Sequence, residues 1–191
     1  MATKTNYRFT ATRGPALTED VFAKRRKEFF RRMPAGSVAV IVTSPERTRS
    51  NDTEYQYRPS SDVLYLSNFQ EAECALVFVK PKTGKDNKFL MFVRPKDRTR
   101  EIWTGIRQGP GGAVEKFGAD EAYDVSDFEK VLRPLLTEAE RVYYKFRRDP
   151  HFDERFKALW QDNQKDLLNP EQIVHEMRLF KDAAEVELMR H

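Results

Sequence analysis

The pattern of apolar and polar positions predicts a helix followed by a buried strand near the start of the chain. Residues 18–33 have the spacing of an amphipathic helix, with Thr18 as its N-cap and the basic run 24–27 facing water. The apolar face of this helix carries Phe22, Phe29, Phe30 and Met33. Residues 37–43 form a short apolar run rich in β-branched side chains, which is typical of a central strand covered on both faces.

Strands and helical segments continue to alternate along the rest of the chain. Further strands are predicted over 63–66, 74–80, 89–93 and 141–146, with a hairpin turn over 81–87. Helical segments are predicted over 113–117 and 181–191 and from 124–126 and 149–150 onward, with a helical or irregular segment over 97–103. The Gly-Pro-Gly-Gly run 109–112 is predicted to be a break, and it lacks the Lys-Ser/Thr of a phosphate-binding loop. This alternation predicts one α/β layered domain.

Composition indicates a single domain with a surface of mixed charge. The 191 residues are 39% hydrophobic, which suffices for a core, and 34% charged. A net charge of +4 is compatible with a nucleic-acid partner, but basic and acidic residues are interleaved, as in Lys-Arg-Arg-Lys-Glu at 24–28. We therefore expect a solvated surface of mixed sign and no nucleic-acid partner.

The single cysteine and the composition of the first residues bear on disulfides, membrane spans and targeting segments. Cys74 excludes an internal disulfide and a thiolate metal site, and its place at the head of an apolar run predicts burial. No apolar stretch has the length of a membrane span, so no membrane partner is expected. Residues 1–13 contain basic but no acidic side chains, as transit peptides do, although a disordered start is favoured. The expected location is the cytoplasm.

The residues that could perform chemistry do not form a recognisable catalytic motif. The chain has three histidines, namely His151, His175 and His191. None has the His-Glu-x-x-His spacing of a zinc site, and His175 is expected to be structural. The carboxylates of Asp52, Glu54 and Asp62 could bind a hard cation, but they are predicted to cap turns and pair with arginines. The predicted partners are Arg47, Arg49 and Arg58.

Three separated motifs carry a family resemblance. The stretch 49–69 fits the pattern Arg-Ser-x-Asp-x-Glu-Tyr-x-Tyr-Arg-x-x-Ser-Asp-x-x-Tyr-x-x-x-Phe. The matching residues are Arg49, Ser50, Asp52, Glu54, Tyr55, Tyr57, Arg58, Ser61, Asp62, Tyr65 and Phe69. Glu-Ile-Trp-Thr-Gly-Ile-Arg at 101–107 and His-Glu-Met-Arg-Leu-Phe-Lys at 175–181 follow in order. On these motifs the chain resembles the amino-terminal domain of aminopeptidase P, in the family that also contains prolidase and creatinase.

The resemblance implies a fold and a domain plan. The fold is α/β, a mixed β-sheet flanked by helices, as in the ribonuclease H-like amino-terminal domain of creatinase and aminopeptidase P. The domain is expected over 18–176, after a leader over 1–17. Residues 177–191 are expected to be a linker and the start of a carboxy-terminal catalytic domain.

The resemblance also implies an activity for the parent protein. In the family, the catalytic domain holds two metals, usually manganese, and removes the amino-terminal residue that precedes proline. The isolated chain is expected to lack the metal ligands, to bind no cofactor and to be inactive. Its implied partners are its own catalytic domain, further copies of the chain in a dimer or tetramer, and the peptide substrate.

Two residues are assigned roles by their match to the family motifs. Asp52 matches an aspartate that joins a hydrogen-bond network behind the metal ligands, where it would orient them. Trp103 matches a tryptophan that lines the pocket for the proline side of the substrate in a neighbouring subunit. The charged neighbours of Trp103 favour exposure over core packing.

Two other classes of function are compatible with the sequence. Creatinase-like domains also serve as inactive modules that bind peptides or histones, and an intact catalytic domain in the source gene would decide against that class. Nucleic-acid binding would require a contiguous positive face on the folded domain.

Overall fold

A computed structural model describes residues 17–83, 86–161 and 165–190 of the chain. Nearly all of the predicted leader over 1–17 lies outside these residues. So do His191 and part of the predicted turn 81–87.

The described strands form one large mixed sheet and one small hairpin. The strands are β1 (Ser37–Val42), β2 (Thr48–Ser50), β3 (Thr53–Glu54), β4 (Ala75–Lys80), β5 (Lys88–Val93), β6 (Glu121–Asp124), β7 (Arg141–Tyr143) and β8 (Leu167–Leu168). The large sheet has the order β6-β5-β4-β1-β7-β8, while β2 pairs only with β3. β4 runs antiparallel to both of its neighbours, and the other pairs in the large sheet are parallel.

Helices cover both faces of this sheet. They are α1 (Glu19–Arg32), α2 (Ser61–Ser67), α3 (Arg98–Thr104), α4 (Gly109–Phe117), α5 (Phe128–Glu138), α6 (Pro150–Trp160), α7 (Glu171–Leu179) and α8 (Ala183–Arg190). The predicted fold class, a mixed sheet flanked by helices, is therefore confirmed. Among the described helices, none is both long and apolar enough to cross a membrane.

β1 is the strand that both halves of the core share. Ala39 and Ile41 face the layer that contains α1, α2, α4 and α7, whereas Val38, Val40 and Val42 face α5 and α6. All six residues of β1 are buried, as its continuous apolar pattern predicts.

The sheet directs several connections to one edge. Because β1 and β5 are both antiparallel to β4, the carboxyl ends of β1 and β5 lie at the same edge as the amino end of β4. We call this the carboxyl edge. Neighbouring strands are about 4.8 Å apart, so β1 and β5 end roughly 10 Å from each other.

The prediction of a strand over 63–66 is wrong, because this segment belongs to α2. The side chain of Ser60 accepts a hydrogen bond of 3.3 Å from the amide of Val63 and so caps the helix. Val63 and Leu66 are three residues apart and both are buried, which is the spacing of a helix face.

The predicted break at 109–112 is also wrong, because α4 begins at Gly109. Pro110 lies in the first turn, where a missing amide costs no hydrogen bond. A Cβ on Gly112 would lie only 2.9 Å from the Cβ of Gln108, so glycine at this position permits the close packing of the first turn. Gly118 ends this helix in a left-handed conformation with φ of 65°. The pattern did not predict β6, β8 or α7.

The basic run 24–27 does not face water throughout, contrary to expectation. Arg25 and Arg26 are buried and lie on the same helix face as the apolar residues. Their guanidinium groups stack over the rings of Tyr65 at 4.2 Å and Phe89 at 4.7 Å. They also donate to the backbone carbonyls of Tyr65 (3.2 Å) and Leu66 (3.1 Å) near the end of α2. Two arginines of α1 thus donate hydrogen bonds to carbonyl groups at the carboxyl end of α2, which have no partner within that helix.

A substitution at Gly118 tests the packing between α1 and the end of α4. Gly118 has φ of 65°, and a Cβ there would collide with the paired side chains of Glu19 and Arg26. We expect Gly118→Ala to lower the free energy of unfolding by about 1–3 kcal/mol. Thermal unfolding followed by circular dichroism would measure the effect.

Gly111→Ala is the matched control, because Gly111 is helical and a Cβ there meets nothing within 4 Å. We expect it to stabilise the chain by about 0.5–1 kcal/mol. Equal shifts of the melting temperature in the two variants would contradict this account of the α1–α4 contact.

Candidate functional site

The hairpin of β2 and β3 presents Asp52 beyond the carboxyl end of β1. Asn51, at the turn, has φ of 49°, a left-handed conformation that asparagine tolerates better than most residues. Asp52 is exposed, and its carboxylate makes no hydrogen bond or ion pair with any other described residue. The predicted pairing of Asp52 with a nearby arginine is therefore not observed.

Tyr57 fastens the loop that carries this hairpin to the sheet. Its hydroxyl donates to the carbonyl of Ser44 at 2.9 Å and lies 2.7 Å from the hydroxyl of Thr43. Burial raises the pKa of Tyr57, so the phenol stays protonated. The hydroxyl of Ser60 reaches the carbonyl of Val42 at 3.4 Å, which holds the other end of the loop near β1.

Asp62 joins the first family motif to the third. Its carboxylate accepts a hydrogen bond of 3.1 Å from Arg178, and it lies 3.7 Å from Nε2 of His175. The hydroxyl of Tyr65 donates to the carbonyl of Met177 at 3.4 Å. The predicted arginine partners of Asp62 were therefore wrong. The observed partners lie on α7. The structural role of His175 stays a prediction, because its side chain is 54% exposed.

Arg25 connects the domain to α8. Its guanidinium lies 3.5 Å from the carboxylate of Asp182 and 3.4 Å from that of Glu185. Its side chain is only 7% exposed, so these ion pairs are screened from water on one side. The end of α7 and the residue after it, Leu179 and Phe180, are exposed. The start of α8 is thus held to α1 by ion pairs, next to apolar side chains that are open to solvent.

Trp103 lies on α3, which extends from the carboxyl edge after β5. The side chain is exposed, as are those of Ile102 and Ile106. The predicted exposure of Trp103 is confirmed. Its part in a substrate pocket stays a prediction.

The donor atoms of the described residues form no group that could hold manganese. Among residues 17–83, 86–161 and 165–190, no group of three or more His, Cys, Asp or Glu side chains is placed to hold a metal ion. Cys74 is buried as predicted, and burial raises the pKa of its thiol, which suits packing and not nucleophilic attack.

Buried charges at the carboxyl edge were not predicted from the sequence. Arg94 and Arg107 are both buried there, and Arg94 lies 3.6 Å from Glu46. That contact joins the loop after β1 to the segment after β5. The amide of Gln108 donates to Glu71 at 2.8 Å. A charged side chain flanking a strand gives no sign in sequence that tertiary partners will bury it.

The fold defines a mixed α/β domain that carries Asp52 and Trp103 at one edge of its sheet, and the comparisons place it in a family. The family model described as "Aminopeptidase P, N-terminal domain" matches residues 22–152. The chain belongs to this aminopeptidase P N-terminal domain family. The resemblance inferred from the three motifs is therefore confirmed.

Individual relatives agree with this assignment. The chain is 35% identical to the Xaa-Pro aminopeptidase of Escherichia coli (strain K12) over 91% of its own length. It is 29% identical to Xaa-Pro aminopeptidase 3 of Homo sapiens over 92% of its length. It spans 42% of the first relative and 38% of the second.

Solved structures give the same picture. The low-pH form of aminopeptidase P from E. coli superimposes on this chain with a TM-score of 0.83 at 33% identity. The match covers 90% of this chain and 41% of the E. coli chain. Proline aminopeptidase P II from Yersinia pestis superimposes on this chain with a TM-score of 0.80 at 34% identity. The match covers 89% of this chain and 41% of the Y. pestis chain.

Replacement of the two tryptophans separates surface from core. Trp103→Ala should change the free energy of unfolding by less than about 0.5 kcal/mol, because the indole is exposed. Trp160→Ala should cost about 1–3 kcal/mol, because that half-buried indole stacks on Phe156 with ring centroids 6.1 Å apart. Melting temperatures of the two variants make the comparison, and a larger loss for Trp103→Ala would remove Trp103 from the candidate site.

Proposed function

We propose that this chain is the amino-terminal, non-catalytic domain of a manganese-dependent Xaa-Pro aminopeptidase. The parent would remove the amino-terminal residue that precedes proline in a peptide. The observation that carries the proposal is the match of residues 22–152 to the aminopeptidase P N-terminal domain, in a chain 35% identical to an Xaa-Pro aminopeptidase.

The proposal assigns the metal chemistry to the rest of the parent protein. Two manganese ions would be held by a catalytic domain that follows this one, because the donor set described above does not fit a metal pair. The contribution of this domain to catalysis is then positional. It brings side chains from the carboxyl edge to a pocket formed elsewhere.

Trp103 is the proposed substrate-contacting residue. A flat indole offers a rigid apolar surface that suits a pyrrolidine ring, and its exposure on α3 leaves it accessible to another protein surface. In a dimer or tetramer of the parent, it would line the pocket of a neighbouring subunit. The peptide substrate and further copies of the chain are thus the proposed partners, together with its own catalytic domain.

Asp52 is the proposed positioning residue for the metal ligands. Its carboxylate is exposed at the turn between β2 and β3 and has no partner among the described residues. It can therefore accept hydrogen bonds from the catalytic domain. Carboxylates behind a metal centre orient the ligands and raise their basicity.

The proposed domain limits remain 18–176, with the linker over 177–191. α7 (Glu171–Leu179) crosses this limit, so the linker would begin as a continuous helix. The ion pairs from Arg25 to Asp182 and Glu185 support a fixed course for the linker. We propose the cytoplasm as the location, on the family resemblance alone.

Kinetics of the full-length parent test the function and the two residue roles. With manganese and an Xaa-Pro peptide, Asp52→Ala should lower kcat by about 10- to 100-fold, more than it changes KM. Trp103→Ala should instead raise KM, chiefly for longer substrates, because it removes apolar contact with the peptide. Initial rates at varied substrate concentration measure both parameters.

Glu138→Ala is the matched control for Asp52→Ala. Glu138 is also an exposed carboxylate, but it lies at the end of α5, just before β7 begins at the opposite edge of the sheet. Its removal should leave kcat and KM unchanged. A parent that binds peptides without cleaving them would refute the enzymatic proposal and favour an inactive peptide- or histone-binding module.

The isolated 191-residue chain should neither cleave Xaa-Pro peptides nor bind manganese tightly. Scattered carboxylates give only weak oxygen sites for a divalent cation. Isothermal titration calorimetry with MnCl2 measures this directly. Stoichiometric binding at micromolar concentration would contradict the assignment of the metals to another domain.

A further inference from the structure

The segment 94–108 extends from the sheet with little apolar packing of its own. It leaves β5 at the carboxyl edge, forms α3 and returns to the start of α4. No described side chain of α3 is buried, and Ile102, Trp103 and Ile106 are 78%, 77% and 83% exposed. Burial of apolar side chains in α3 therefore contributes little to the position of the segment. Polar contacts contribute more to holding it in place.

Internal hydrogen bonds close the segment on itself. Asp97 caps α3 by accepting from the amides of Thr99 (3.0 Å) and Arg100 (3.1 Å). The amide of Arg107 donates to the carboxylate of Glu101 at 3.1 Å. The guanidinium of Arg107 lies 3.5 Å from the carbonyl of Pro95, near the start of the segment. These contacts fix the shape of the segment, but they do not attach it to the domain.

Glu71 provides the short contact between this segment and the rest of the domain. Its carboxylate accepts the hydrogen bond of 2.8 Å from the amide of Gln108, the residue that precedes α4. Glu71 follows the buried Phe69 and precedes the buried Ala72, so its backbone is held by the core. A carboxylate at the amino end of α4 is also favoured by the helix dipole. A second contact, from Arg94 to Glu46, is longer at 3.6 Å.

Glu71 lies close to two buried positive charges, those of Arg94 and Arg107. Burial raises the pKa of Glu71, while the Gln108 amide and the positive charges of Arg94 and Arg107 act in the opposite direction. One oxygen of Glu71 and the Nε atoms of Arg94 and Arg107 are buried without a partner among the described residues. Removing the carboxylate would leave two buried guanidinium groups with less counter-charge, which is costly.

We infer that Glu71 is a positioning residue for Trp103, and that it acts by accepting the Gln108 amide and so fixing the end of the segment 94–108 that returns to α4. The inference that this position matters for peptide binding rests on the proposed function. The position itself does not.

Hydrogen–deuterium exchange on the 191-residue chain tests the structural part. In Glu71→Ala, amide exchange over 97–108 should accelerate by about tenfold or more, while exchange of β1 and β4 stays unchanged. In Glu71→Gln, the side-chain carbonyl can still accept from Gln108 but the negative charge near Arg94 and Arg107 is lost, so exchange should accelerate clearly less than in Glu71→Ala. Glu115→Ala, which removes an exposed carboxylate from α4, should have no effect.

Three results would overturn the inference. Exchange over 97–108 could be unchanged in Glu71→Ala. Exchange could accelerate equally in β1 and β4, which would make Glu71 a residue of general stability. Finally, Glu71→Gln could behave as Glu71→Ala, which would exclude the hydrogen bond as the cause.

Kinetics of the parent separate this inference from the proposed function. Glu71→Ala should raise KM for Xaa-Pro peptides with a smaller change in kcat, as is expected for Trp103→Ala, and Glu71→Gln should raise KM less than Glu71→Ala. If exchange responds as expected but KM does not change in either Glu71→Ala or Trp103→Ala, Glu71 positions the segment and the proposed role of Trp103 fails. If Trp103→Ala raises KM while Glu71→Ala does not, the role of Trp103 stands and the positioning inference fails.

Discussion

Burial of β1 on both faces is the constraint on which the rest of the domain depends. Its side chains supply the centre of both core layers, so polar groups cannot be placed along it without loss of packing. The connections at its carboxyl end are where polar groups can reach solvent. The hairpin with Asp52, the hydrogen bonds of Tyr57 and the segment with Trp103 all lie at this edge, so candidate residues that are distant in sequence are held by one sheet.

Buried guanidinium groups form the second level of organisation. Arg25 and Arg26 join α1 to the end of α2, and Arg25 extends this link to α8. Arg94 and Arg107 occupy the carboxyl edge with Glu46 and Glu71 nearby. A planar group with several donors can bridge a carbonyl, a carboxylate and an aromatic ring at once. This explains why arginine, and not lysine, stands where three elements of the domain meet.

The predictability of each element followed from the strength of its local pattern. β1, β4, β5, α1 and α6 were predicted because their apolar periodicity is clear and locally consistent. β6 was missed because it is a short, half-buried strand at the edge of the sheet. The charged neighbours of Trp103 correctly predicted its exposure, while the roles assigned to Asp52 and Trp103 by the motifs stay predictions. The partner of Asp62 was not predictable, because Arg178 lies 116 residues away in sequence and only the fold brings them together.

The closed shape of the segment 94–108 has a consequence for how such domains diversify. Since the hydrogen bonds that shape it begin and end within it, the tip can change in composition or length without altering the core. Selection can therefore act on the exposed side chains of α3 almost independently of folding. A lineage could acquire new recognition at this tip through few substitutions, while the sheet and its buried charges stay as they are.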